Sequence, residues 1–150
     1  MFDSVIVLCA GNICRSPMAC GLLRHAAELC RSKLNVDSAG LAALVGERPD
    51  PIAVRLLAER GVDICRHTAK QATEELLRAH ALVLTMERTQ QQFVERTWPV
   101  LHGRVFRWGE WQDFDVPDPY GADETAFRET LAALDRGFND WAKRLGLASA

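Results

Sequence analysis

Val5, Ile6, Val7 and Leu8 form an unbroken apolar run that passes directly into Cys9-Ala10-Gly11-Asn12-Ile13-Cys14-Arg15-Ser16-Pro17. A short β-branched and aliphatic run of this kind suits a strand buried on both faces of a parallel sheet. Ser16-Pro17 reads as a helix start, with serine at or near the cap and proline in the first turn. Ala19, Leu22, Leu23, Ala26, Ala27 and Cys30 then fall on one helical face. Strand, loop and helix in this order open a βαβ unit, which commits the chain to a parallel sheet with helical crossovers.

The later chain continues the alternation. Leu34-Asn35-Val36 reads as a weak second strand running into Asp37-Ser38-Ala39-Gly40, and Pro49-Asp50-Pro51 introduces a helix through about Arg60 that stops at Gly61. Ala81 to Thr85 is the clearest later strand, and Val105-Phe106 a weaker fourth. From Phe127 onward, Leu131, Leu134, Phe138, Trp141 and Leu145 recur at steps of four and three, the stripe of an amphipathic helix against the sheet. The expected fold is therefore α/β: a single domain over residues 1–150, with a four-stranded parallel sheet flanked by helices on both sides. An apolar share of 48% is enough to give such a domain a core.

Charge and cysteine content narrow the partners. Eighteen basic against twenty acidic residues leave a net charge of −2 and no basic cluster, so no nucleic-acid partner is expected and any anion must be held by a local site. The five cysteines lack the paired spacing of a structural zinc site, and the histidines at 25, 67, 80 and 102 show no metal-like spacing, so neither metal nor cofactor is expected. Asp3 stands where a signal peptide needs basic residues, and the apolar run behind it is too short for membrane insertion. These features point to a cytoplasmic protein with reduced thiols.

The opening loop carries the chemistry. Backbone N–H groups between a buried strand and a helix N-terminus can converge on one point, where the helix dipole adds positive potential. Gly11 and Asn12 readily take the positive φ that curls such amides inward, and Arg15 can grip two oxygens of a phosphate. Cys9 would lie at the floor, held as thiolate by the same positive surroundings and aimed at phosphorus; Ser16 could hydrogen-bond its sulfur and ease its later departure. No Gly-Lys-Ser/Thr follows the loop and no GxGxxG occurs, which excludes the common nucleotide and dinucleotide cradles.

Val7-Leu8-Cys9-Ala10-Gly11-Asn12-Ile13-Cys14-Arg15-Ser16-Pro17 resembles the signature of the low-molecular-weight protein tyrosine phosphatases, and the resemblance extends to Asp37–Gly40, Thr85-Met86-Glu87 and Val116-Pro117-Asp118-Pro119-Tyr120. It implies phosphate binding by Ala10 through Ser16 around the nucleophile Cys9, with Asp118 protonating the leaving group and then acting as base on the hydrolytic water. It further implies Tyr120 as a pocket wall, Ser38 as a support for Asn12, and Cys14 as a redox guard able to pair with an oxidised Cys9. The other three cysteines are expected in the core.

Three departures indicate a branch. Leu44 takes the place of a wall tryptophan, Gly121 follows Tyr120 instead of a second aromatic, and Ser38-Ala39-Gly40-Leu41 onward, with Glu110-Trp111, is similar to bacterial members that work with capsule and exopolysaccharide tyrosine kinases. The implied partner is the phosphotyrosine of such an autophosphorylated kinase. Arsenate reductases of the same fold use further cysteines, and none follows Cys65; arginine phosphatases place threonine at the position of Ile13. An idle phosphotyrosine-binding module would lack Cys9, Arg15 or Asp118, and all three are present.

Overall fold

The computed structural model describes residues 2–147. Four strands, β1 (Ser4–Cys9), β2 (Asn35–Gly40), β3 (Leu82–Thr85) and β4 (Val105–Arg107), form one sheet in the order β2-β1-β3-β4, with every pairing parallel. Helices α1 (Arg15–Leu29), α2 (Pro51–Ala58), α3 (Glu74–Arg78) and α4 (Arg88–Thr97) lie in the connections between them, and α5 (Glu124–Arg144) follows β4. The α/β sandwich expected from the alternating pattern is the observed architecture.

The central strand β1 explains the layering. Its side chains alternate between faces. Val5 and Val7 join a core with Met18, Leu23, Leu57, Phe127, Leu134 and Trp141 from α1, α2 and α5. Ile6 and Leu8 join a second core with Leu77, Val94 and Leu101 on the opposite face. Both faces are covered, which is why the strand reads as continuously apolar.

Several boundaries differ from the sequence reading. β2 runs to Gly40, so Asp37 to Gly40, expected after the strand, lies within it; residue-by-residue pairing with Ile6 to Cys9 overrides the turn tendency of Asp and Ser. At the end of that strand, a side chain on Gly40 would come within 2.6 Å of the Ala10 carbonyl, a close approach that requires glycine. Ser16 is the second residue of α1 rather than its cap, and it is fully buried. Helices α3 and α4 were not legible: α3 spans five residues, and α4 buries only Gln90 and Val94. α5 starts at Glu124, three residues before Phe127, because Asp123 caps it through the Ala126 amide.

Candidate active site

The site lies at the C-terminal end of the sheet, where β1 stops at Cys9 and α1 begins at Arg15. The five residues between them form the loop, and its curvature is set at Asn12, which has φ +60°. That backbone state is costly for a residue with a side chain, and the surroundings hold it. Asn12 Nδ2 donates to Ser16 Oγ at 2.8 Å and to Ser38 Oγ at 3.1 Å, and Asn12 Oδ1 accepts from the Lys70 amide at 3.0 Å. Its carbonyl faces His67 Nε2 at 2.7 Å, so the ring nitrogen donates. Asn12 is wholly buried, and this pairing satisfies its side chain and its carbonyl.

Cys9 Sγ is 2.9 Å from Ser16 Oγ and accepts from the Asn12 amide at 3.3 Å. Cys9 is 2% exposed at the base of a pocket of about 200 Å³ that Gly11, Ile13, Arg15, Leu44, Asp118 and Tyr120 help to line. Leu44 is brought over the loop by a short main-chain zipper: the amides of Leu41, Ala42 and Leu44 donate to the carbonyls of Cys9, Ala10 and Gly11 at 2.9, 2.9 and 3.1 Å.

Arg15 is buried, with its Nη1 donating to Glu87 Oε2 at 2.5 Å and to the Val116 carbonyl at 2.9 Å. Fastening Nη1 from behind leaves the Nε and Nη2 edge for an anion, the fork that suits two phosphate oxygens. Asp118 Oδ2 lies 3.5 Å from Arg15 Nη2, and Asp118 Oδ1 accepts from the Tyr120 amide at 3.1 Å. A carboxylate distant in sequence thus stands at the rim of the cysteine loop, and Tyr120, 61% exposed, stands beside it.

Cys14 is buried in the same pocket wall, and burial foremost, then the negative charge of Asp50, pushes its thiol well above the ordinary range. Cys20 is buried and its thiol is pushed up to about 11, again chiefly by burial, while Cys30 is part-buried. Cys65 corrects the expectation of a core residue: it is exposed, in the turn after Ile64.

Sequence reasoning assigned no role to Glu87, His67, Lys70 or Gln90. Glu87 was visible only as part of Thr85-Met86-Glu87. Gln90 Oε1 accepts from the amides of Met86 and Glu87, at 3.0 and 3.1 Å, and so fixes the segment that presents Glu87. A lone histidine and a backbone amide carry no pattern that points to Asn12. Among the described residues no cluster of His, Cys, Asp and Glu could hold a metal ion, and no helix is long and apolar enough to cross a membrane.

Residues 4–149 match the family model described as low molecular weight phosphotyrosine protein phosphatase. The chain belongs to this family. It is 42% identical over 145 residues, 97% of each chain, to a probable low molecular weight protein-tyrosine-phosphatase EpsP of Ralstonia nicotianae. The crystal structure of the tyrosine phosphatase Wzb from Escherichia coli K30 in complex with sulphate superposes with a TM-score of 0.89 at 34% identity, covering 97% of this chain and 99% of that one. A cysteine-to-serine mutant of YwlE arginine phosphatase with a phosphorylated active site serine also superposes with a TM-score of 0.89, at 32% identity and 95% coverage of both chains. The protein is thus a low-molecular-weight protein-tyrosine-phosphatase of the bacterial branch that its sequence resembles.

Proposed function

We propose that the protein hydrolyses phosphotyrosine in a protein substrate through a phosphocysteine intermediate. The observation that carries this reading is the convergence of Cys9, Arg15 and Asp118 on one small pocket, with Cys9 bonded to Ser16 and the Asn12 amide. The phosphate sits on the loop amides of Ala10 to Ser16 and the Nε and Nη2 edge of Arg15, beside Asp118. Cys9 Sγ attacks phosphorus as thiolate; the S–P bond forms as the bond to the tyrosine oxygen breaks, and Asp118 delivers a proton to that oxygen. Asp118, now a carboxylate, takes a proton from the water that attacks phosphorus. Phosphate leaves, and the Ser16 hydroxyl supports the returning thiolate. The proton that Asp118 gives to the tyrosine oxygen is replaced by one from the attacking water, so the acid is regenerated in each turnover.

Sulphate bound by the Escherichia coli relative and the phosphorylated serine of the YwlE mutant support the cradle and the covalent step. Relatives named EpsP and Wzb support, as substrate, an autophosphorylated bacterial tyrosine kinase that controls exopolysaccharide or capsule export, and with it a cytoplasmic location. Tyr120 and Leu44 would flank the tyrosine ring, and Ile13 in the pocket wall favours phosphotyrosine over phosphoarginine. The test is turnover of phosphotyrosine, phosphoserine, phosphothreonine and phosphoarginine peptides by wild type, Cys9→Ser and Asp118→Asn. Phosphotyrosine is expected to be preferred and Cys9→Ser to be inactive; wild-type turnover by Cys9→Ser, or a preference for phosphoarginine, would sink the reading.

A further inference from the structure

Arg107 ends β4 some distance along the chain from the pocket, yet it is 5% exposed and both of its terminal nitrogens meet acidic residues. Its Nη1 donates to Asp115 Oδ1 at 2.8 Å and its Nη2 to Asp113 Oδ1. Nε is buried with no hydrogen-bond partner among the described residues, so the guanidinium is placed for these two carboxylates at the expense of its third nitrogen. Both carboxylates also meet the start of α4: Asp115 Oδ1 accepts from the Arg88 amide at 3.0 Å, and Asp113 Oδ1 from Arg88 Nη2 at 2.7 Å.

Asp113 and Asp115 belong to the segment that leads to Asp118. Asp113 has φ +54°, a left-handed kink that turns the chain back toward the sheet. One residue past Asp115, the Val116 amide donates to the Met86 carbonyl at 2.9 Å, and the Val116 carbonyl accepts from Arg15. The Pro117 carbonyl accepts from Thr130 Oγ1 at 3.0 Å. Asp118 itself is about half exposed, and its carboxylate is held only by its own turn and by Arg15. Its aim therefore depends on the anchors before it, and Arg107 is the buried one that grips the segment through side chains.

We infer that Arg107 is a positioning residue for the general acid: through Asp113 and Asp115 it holds the 113–118 segment so that Asp118 meets the departing oxygen. This rests on the reading of Asp118 given above. A misplaced acid is costly only where the leaving group needs a proton, and this separates positioning from a general loss of structure.

The experiment measures kcat/KM on a phosphotyrosine peptide and on dinitrophenyl phosphate for wild type, Arg107→Gln, Asp118→Asn and the double variant. Arg107→Gln is expected to lose about tenfold on phosphotyrosine and less than about twofold on the activated ester, and to add no further loss in the Asp118→Asn background. Equal losses on both substrates, or none, overturn the role of Arg107 while a selective Asp118→Asn leaves the acid in place. A non-selective Asp118→Asn overturns the acid and this inference with it. If Arg107→Gln lacks a cooperative thermal transition, the Asp113→Asn/Asp115→Asn variant removes the same ion pairs from exposed positions, and the same selectivity decides the matter.

Discussion

Glu87 Oε2 lies 2.5 Å from Nη1 of Arg15, so the arginine of the phosphate cradle is held from behind by a carboxylate 72 positions away in sequence. The Arg15 side chain is 2% exposed and that of Glu87 33%, so the pair is shielded on its cationic side. Glu87→Ala leaves a buried cation with only the Val116 carbonyl and the half-exposed Asp118 carboxylate, 3.5 Å away, as partners. Stability should fall by about 2 kcal/mol, and kcat/KM for a phosphotyrosine peptide by about tenfold or more through a misplaced fork. Denaturant melts and steady-state kinetics check both; unchanged kinetics would show that Arg15 needs no help from behind.

Asn12 combines a left-handed backbone with three side-chain hydrogen bonds, and the two contributions can be separated. Asn12→Gly and Asn12→Ala both strand Ser38 and the Lys70 amide, but only alanine also resists φ +60°. Asn12→Ala should therefore be less stable than Asn12→Gly by about 1 kcal/mol, and both well below wild type. Equal stability of the two variants would remove the backbone term.

Burial holds the His67 ring neutral, lowering its affinity for a proton below the ordinary value of 6.5 despite the opposing hydrogen bond to Asn12. The unfolded chain then binds a proton at a pH where the folded chain does not, so this contribution to stability is complete above about pH 6.5 and declines as the pH falls. The melting temperature of wild type should drop more between pH 7.5 and 5.5 than that of His67→Gln, with those two pH values about one unit either side of the free histidine value. Parallel curves would assign the acid sensitivity elsewhere.

The proposed guard role of Cys14 against peroxide can be tested through the state of its thiol. Its thiol is held protonated by burial and by neighbouring negative charge, so its attack on an oxidised Cys9 should be slow near neutrality and speed up with rising pH. Peroxide followed by thiol mapping is expected to find Cys9 joined to Cys14 in wild type. In Cys14→Ser, Cys9 should instead be irreversibly overoxidised. Recovery of Cys14→Ser by thiols to the wild-type level would end the guard role.

Leu44 stands over the loop with its amide donating to the Gly11 carbonyl, and it is 37% exposed. Leu44→Trp extends an aromatic wall opposite Tyr120. KM for aryl phosphates should fall roughly threefold to tenfold, the worth of one added aromatic contact, with kcat little changed. A drop in kcat instead would mean that the larger ring obstructs Asp118.

What was legible in the sequence lies within single local stretches. The run Val5 to Leu8, the loop to Arg15 and the helix behind it declare strand, cradle and helix within about 25 residues, since burial pattern and turn chemistry act between near neighbours. The final helix was legible for the same reason. Helices α3 and α4 were not, being short or mostly polar, and β2 was cut short because the pairing of Asp37 to Gly40 with β1 is invisible until the sheet forms.

By itself the sequence determined the parallel α/β class and marked the loop from Cys9 to Arg15 as an anion cradle, because residue type and local spacing set what a strand-to-helix loop can bind; Asp118 was singled out only through the family resemblance. Only the tertiary structure decided which further distant groups hold the site in place: Glu87 behind Arg15, Lys70 and His67 around Asn12 beside the expected Ser38, and Arg107 behind the segment that bears Asp118. These partners are chosen by strand order and register, which bring the ends of β1, β2, β3 and β4 to one edge of the sheet. Register is set by the packing of two cores at once, a property no single stretch of sequence carries.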